Sequence, residues 1–549
     1  MMKRLLGVCI IMVLAMAVLS GCDRGGDGGA TSGARHDLPD EERWFGAFDE
    51  TVTVRLAMPT NAAHEFLPGE SHEYNVWTRA FRDELNIEID IMWEAVHAPG
   101  DYETRLNLAI ASGDVPDFIR FETATQFVNM QEAGQLFDMT FYFDHFAYPL
   151  VHELMRSDGI ALDWGRVGDG LYGLPTQGVS LGSPRMLYLR TDWFEATGLA
   201  MPTTIEEFFY AAETMARQND AFALAVGGTL IRNGMSDILG PANAFGAHPT
   251  VWVEDGQGGL MYGSLQQGVR SALEIYARLF AEGLLDPGFT ALDGGAMGEQ
   301  LTTSRIAAMS SMVWLNGWPL SLAYGTEHWS EWIIMPMLPS ETLREPMMVT
   351  ADSIAATRLV SIREGFQYPE AFFKMWNFAT AVLEDQERER MEIFHPRGGD
   401  MPFTYFPDPM QNPTTHRNLT AYMRGASLDE IPMRAHCWGR LYYIQRWMEG
   451  DTSQWGHYST WYGDNSTWGV LTNYMDRGQL FTCRAMGLQT ETMVTNWADL
   501  TDLESTFFIE VVTGHRPITD FDEYFIPTWE AMGGAQITAE INEWWAARD

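Results

Sequence analysis

Between Tyr102 and Phe121 the hydrophobic period of the chain changes twice. Leu106, Leu108, Ala109 and Ala111 recur near helical spacing and predict an amphipathic helix. Gly113 suits the left-handed residue that closes a helix, and Pro116 stops the helix from resuming. Phe118 to Phe121 is then a short apolar run, the pattern of a buried strand. Upstream, Val52, Val54, Leu56 and Met58 alternate with other residues and predict a first strand, ending in the polar Pro59-Thr60-Asn61. A helix from about 74 to 84 turns Trp77, Phe81 and Leu85 inward, a strand covers 87–93, and a helix over 127–131 ends at Gly134. Strands alternating with helices predict a mostly parallel sheet covered on both faces. The polar residues 122–125 lie just past the carboxyl end of a strand, where open α/β sheets bind ligands.

The pattern continues beyond a turn at 169–177. Met186 to Leu189 predicts a strand. Thr204 and Glu207 form a capping-box pair ahead of a helix with an apolar stripe of Phe208, Ala211, Ala212 and Met215. A short strand at 224–227, a helix over 269–283 and an apolar strand at 306–312 follow. Extended segments at 333–337 and 347–350 are expected to return towards the first sheet, with a further strand at 354–356 and a helix at 369–382. A region rich in Trp and Tyr spans 438–468, and no internal repeat is found.

At 549 residues the chain exceeds one hydrophobic core, so at least two lobes are expected. Its formal charge is −39; without residues 1–21, which hold Lys3, Arg4 and no acid, 33 basic face 74 acidic residues, or −41. A surface this acidic argues against nucleic acid and against electrostatic adhesion to anionic lipid, both of which need clustered cations. The start of the chain has a basic Lys3-Arg4, an apolar run from Leu5 to Val18, and Leu19-Ser20-Gly21 before Cys22. The run is shorter than the ~20 residues of a membrane span and reads as a signal peptide. The Gly- and Asp-rich stretch 23–40 reads as a flexible tether. Beyond the leader the cysteines are Cys22, Cys437 and Cys483; a disulfide between the last two is compatible with an oxidising compartment, and the sequence leaves it open.

Several phrases carry a family likeness. They are A-S-G-D-V-P-D at 111–117, L-Y-L-R-T-D-W-F at 187–194, P-T-T-I-E-E-F at 202–208, E-G-L-L-D-P-G-F at 282–289 and the closing helices of 514–548. In this order they resemble the extracellular solute-binding proteins of ABC importers, of the oligosaccharide-binding, maltose-receptor type, and L-S-G-C resembles a bacterial lipobox. The resemblance implies a two-lobe α/β fold with a hinged inter-lobe cleft, divided as signal peptide 1–21, tether 22–50, first lobe 51–180 and 346–405, and second lobe 181–345 and 406–549. It implies lipid on Cys22, an extracytoplasmic monomer anchored to the membrane, and permease subunits as partners. No cofactor is expected.

A sugar has apolar C–H faces and polar rims, so its site needs flat aromatic platforms beside carboxylates, amides and Arg. Trp314, Asn316 and Trp318 cluster on a loop after a strand and meet that description, although each indole also suits a core. The resemblance places Trp318, Glu122 and Thr123 in the cleft, with Asn61, Gln177, Arg185 and Asp352 on loops facing it. Trp438, Arg440, Tyr442, Trp461 and Trp468 are expected to extend the site for a longer glycan. No G-x-S-x-G, H-E-x-x-H or phosphate-loop motif occurs, and no D-x-D-x-D-G loop that would hold calcium. Chance pairs of carboxylates such as Glu122 and Asp352 keep open a glycan-cleaving enzyme. A ligand sensor is a third reading, and a peptide or other solute also suits an aromatic-rich cleft. The expectation is a binding protein, not an enzyme.

Overall fold

The computed structural model describes residues 38–547 apart from 61–65, 97–100, 158–160, 177–183, 232–234, 344, 350–358, 385–389, 391–392, 395–399, 404, 406–407, 409, 432 and 486–489. The expected signal peptide, lipobox Cys22 and most of the tether lie outside the described residues, as do Asn61, Gln177, Asp352 and the strand expected at 354–356.

In chain order the strands of the two main sheets are β1 (Val52–Thr60), β2 (Ile87–Val96), β3 (Phe118–Arg120), β4 (Leu174–Pro175), β5 (Met186–Arg190), β6 (Phe222–Leu224), β7 (Ile306–Ser311), β8 (Trp332–Met335) and β9 (Leu359–Ile362). The first sheet has the order β2-β1-β3-β9-β4 and the second β8-β5-β7-β6. In the first, β1 is parallel to β2 and β3, whereas the returning β9 is antiparallel to β3 and β4. In the second, β5 is antiparallel to both β7 and β8, and β6 is parallel to β7. The first sheet packs between two hydrophobic clusters and the second lies in a separate one, so the chain forms two lobes.

The first lobe follows its sequence pattern closely. Val52, Val54 and Leu56 are buried while Thr53 is exposed, which is the period-two pattern of one strand face in a core. Helix Val76–Leu85 starts at a capping box between Asn75 and Thr78 and buries Trp77, Phe81 and Leu85. Each such side chain contributes roughly 1.5–3 kcal/mol by leaving water. Helix Asp101–Ser112 ends at Gly113 (φ +75°), a conformation that glycine adopts without strain. Its buried stripe is Tyr102, Leu106 and Ala109; Leu108 is 66% exposed and Ala111 is also exposed. Two residues advance a helix by about 200°, so Leu108 cannot share a face with Leu106.

The segments around 333 and 347 do not return to the first sheet. β8 is an edge strand of the second, and Met348–Val349 pairs with Leu480–Phe481, also in the second lobe. Thr204 caps its helix as expected, accepting the Glu207 N–H at 3.2 Å. Glu207, however, accepts the N–H of Thr203, one residue before the cap.

Two contacts tie distant parts of the chain together. Lys374, buried in helix Pro369–Glu384, donates to the carbonyls of Glu42 and Gly46, closing the short helix Asp40–Phe45 onto the first lobe. At the other end of that helix, Glu384 accepts from His436 of the second lobe at 2.8 Å and from Gln411 at 3.1 Å. Arg434 stands between Glu384 (3.7 Å) and Asp408 (3.5 Å). Burial alone would raise the Glu384 carboxyl. The His436 hydrogen bond and charge, with the Arg434 charge, outweigh it and hold the carboxyl below its ordinary value.

Candidate functional site

Register decides what meets at the open end of the second sheet. Ser311 of β7 pairs with Met186 of β5, so the loop after β7 and the residue before β5 leave the sheet together. This brings Arg185 to the loop that carries Trp314, Asn316 and Trp318. The roles of the four differ. Arg185 is 2% exposed, and its Nε and Nη2 donate to Asp237 at 3.1 and 2.5 Å. Its guanidinium is therefore a buried structural strut. Gly240 makes room for that strut, since a Cβ there would fall 2.8 Å from the Arg185 Cβ.

On the loop itself, Asn316 is fully buried, and neither atom of its amide has a hydrogen-bond partner among the described residues. Trp314 is partly buried, and its Nε1–H points to the Met312 sulfur at 3.3 Å. Trp318 is 43% exposed and lies 6.0 Å from Trp314 between ring centroids, the planes tilted by 32°. Trp318 precedes a cis peptide to Pro319, and a Cβ at Gly298 would touch both residues. The loop thus sets one indole as support and offers the other to solvent.

On the first lobe, Glu122 and Thr123 follow β3 directly. Glu122 is half-buried and ion-paired to Arg120 at 2.9 Å. The Thr123 hydroxyl accepts the Gln126 N–H at 3.3 Å as the cap of helix Ala124–Glu132. Thr123 also lines a cavity of about 480 Å³ between that helix and Asp101–Ser112, with Glu103, Asn107, Gln126 and Met130. Both residues are already engaged in local structure, and the cavity is the open space beside them.

The aromatic region expected to lengthen the site is helical. Helices Ala435–Met448, Trp455–Trp461 and Thr467–Asp476 carry it. Trp461 stacks on Trp468 with centroids 5.6 Å apart and planes 21° apart, and both are buried. Trp438 packs edge-on to Tyr422 at 6.0 Å, and Tyr442 is 55% exposed. Helix Trp455–Trp461 rests on the site loop: a Cβ at Gly456 would lie 2.8 Å from the Asn316 carbonyl oxygen.

Cys437 and Cys483 are free and buried, so the disulfide left open by the sequence does not form. Cys437 sits in helix Ala435–Met448, its thiol held beside Thr415 and pushed up to about 11 by burial. Cys483 accepts the Trp252 N–H at 3.4 Å. The two thiols are committed to different neighbours. Among the described residues no group of three or more His, Cys, Asp or Glu is arranged to hold a metal, and no helix is long and apolar enough to cross a membrane.

Asp237 is the residue of this site that sequence reasoning missed. It stands 52 residues from Arg185, in a loop where nothing local marks it.

Residues 71–353 match the family described as bacterial extracellular solute-binding protein. Lipoprotein LipO of Bacillus subtilis is 22% identical over 228 residues, 40% of this chain and 43% of that protein, so the chain spans less than half of this relative's length. Among solved structures, an HMO-binding, ABC-transporter-associated solute-binding protein from Bifidobacterium longum infantis superposes with a TM-score of 0.62 at 12% identity, covering 90% of this chain and 98% of its own. The S. pneumoniae ABC-transporter substrate-binding protein FusA, in complex with kestose, gives 0.60 at 14% identity, covering 90% and 99%. An alginate-binding protein gives 0.59 at 15% identity, covering 91% and 99%.

Proposed function

The chain belongs to the bacterial extracellular solute-binding protein family, and on that premise we propose that it captures an oligosaccharide between its lobes for an ABC permease. The observation that carries this reading is the pair of indoles at the open end of the second sheet. Trp318 is 43% exposed and is braced by Trp314, which suits the apolar face of a sugar ring. The named ligands of similarly folded proteins, kestose and alginate among them, support the choice of carbohydrate.

In this reading an open cleft admits the glycan and the two lobes close on it, changing the surface a permease would recognise. Closure requires a hinge, and the Glu384–His436–Arg434–Asp408 cluster stands where the lobes meet. The lipid on Cys22 would hold the protein at the outer face of the membrane. The side chains named at the site bind and orient, and no step of bond cleavage is assigned to them.

A thermal-shift screen against mono- and oligosaccharides tests the reading. A glycan that binds only the folded chain stabilises it by about 2.7 kcal/mol at a hundredfold excess over its Kd. Stabilisation by one glycan class, with the sugar recovered intact, is the expected result. Recovery of a cleaved sugar contradicts it.

A further inference from the structure

Among the described residues, Arg440 has no counter-ion in a strongly acidic protein. Its guanidinium carbon lies 3.9 Å over the Trp461 ring, and Trp461 stacks on Trp468. Other buried or half-buried arginines of the second lobe have carboxylates: Arg185 with Asp237, Arg190 with Asp192, Arg434 with Glu384 and Asp408. Arg440 has neither an ion pair nor a hydrogen-bond acceptor of the protein among the described residues, and its Nε–H is buried. Burial lowers it to about 10, with no carboxylate to offset the loss of water. A guanidinium has five donors in a rigid fork matched to carboxylate and sulfate oxygens. The aromatic face beneath it fixes the orientation of that fork, and the side chain is only half-buried, so an acceptor from outside can approach.

Among the described residues, no acid is ion-paired to Arg440 or His457. Tyr443 stacks on His457 at 4.3 Å with planes 11° apart, and burial together with the Arg440 charge lowers His457. His457 follows Gly456, the residue seated against the Asn316 backbone, so this platform adjoins the loop of Trp314 and Trp318. We propose that Arg440 receives an anionic group of the solute, a carboxylate or a sulfate on a sugar, and so makes the protein selective for acidic glycans. This rests on the carbohydrate reading and narrows it.

The test uses the full chain purified in detergent and calorimetric titration of matched pairs. Each acidic oligosaccharide (uronate, sialylated or sulfated) is paired with its neutral parent, which separates carboxylate from sulfate. The wild type is expected to bind one acidic member at least tenfold more tightly than its parent. Arg440→Gln should erase that difference by weakening the acidic member at least tenfold more than its parent, with Arg440→Lys recovering part of it. Circular dichroism of the unliganded variants checks that they fold. If the wild type and Arg440→Gln bind both members alike, or the wild type prefers neutral parents, this inference is overturned and the carbohydrate reading stands. If no glycan binds the wild type, the carbohydrate reading falls and this inference falls with it.

Discussion

Arg185 and Arg440 belong to the same lobe and occupy opposite electrostatic situations. Arg185 is buried, with its Nε and Nη2 donating to Asp237. Arg440 is half-buried on helix Ala435–Met448, with an indole face below it and no ion-paired acid among the described residues. Two buried opposite charges can compensate one another, so the first pair is a matter of stability. A cation that only an aromatic face compensates retains unused donors, so the second is a matter of recognition. Residue type does not distinguish structural from ligand-binding arginines here; the presence of a paired acid does.

The largest effect that sharpens this contrast is expected from Asp237→Ala. Removing one partner of a buried ion pair takes away the charge that compensates the other, which costs about 3–5 kcal/mol. Urea unfolding measures it, and a loss below about 1 kcal/mol would break the contrast.

His248 is a third point on the same scale, a half-buried base with no ion-paired acid among the described residues. Its Nε2 has no partner among the described residues, and its ring stacks on Phe481 at 4.8 Å. An imidazole can respond by staying neutral, as a guanidinium cannot, and burial lowers its pKa from 6.5 to about 4. The unfolded chain then binds the proton more readily over that interval, so stability falls as pH drops from about 6.5 to about 4. The expected loss is about 3 kcal/mol, and His248→Phe should flatten this part of the profile in pH-dependent thermal melts. The Glu384 carboxyl, held below its ordinary 4.5, keeps its contribution above that pH and loses it below.

Smaller effects are expected from the exposed aromatic side. Trp318→Ala should weaken the solute by tenfold or more, about 1.4 kcal/mol, while changing unliganded stability by less than about 0.5 kcal/mol. Arg440→Gln should cost roughly 0.5–1 kcal/mol of stability, the size of a cation–π contact near the surface. Equilibrium unfolding of each variant checks both figures. A cost for Arg440→Gln as large as that for Asp237→Ala would mean the two arginines are alike after all.

Much of this architecture is legible along the chain because local patterns carry it. The helix closed at Gly113, the burial of Trp77, Phe81 and Leu85, and the cap at Thr204 depend on neighbours a few residues away. The placement of Trp314 and Trp318 after β7 is legible for the same reason. What is not legible depends on partners far apart in sequence. Asp237 reaches Arg185 across 52 residues, and β8 finds β5 rather than the first sheet. Cys437 and Cys483 lie in different surroundings that no spacing reveals. Thr123 shows a subtler gap: a polar residue past a strand reads as a ligand contact, yet its hydroxyl caps the next helix.

The central claim is that an exposed indole on the second lobe holds a sugar. The most direct test is calorimetric titration of the glycan identified by thermal shift into the wild type, Trp318→Ala and Tyr210→Ala. Tyr210 is 61% exposed on helix Ile205–Asn219 and serves as an aromatic control. The account predicts that Trp318→Ala loses tenfold or more in affinity while Tyr210→Ala binds as the wild type does. Equal affinity for Trp318→Ala and the wild type would contradict it.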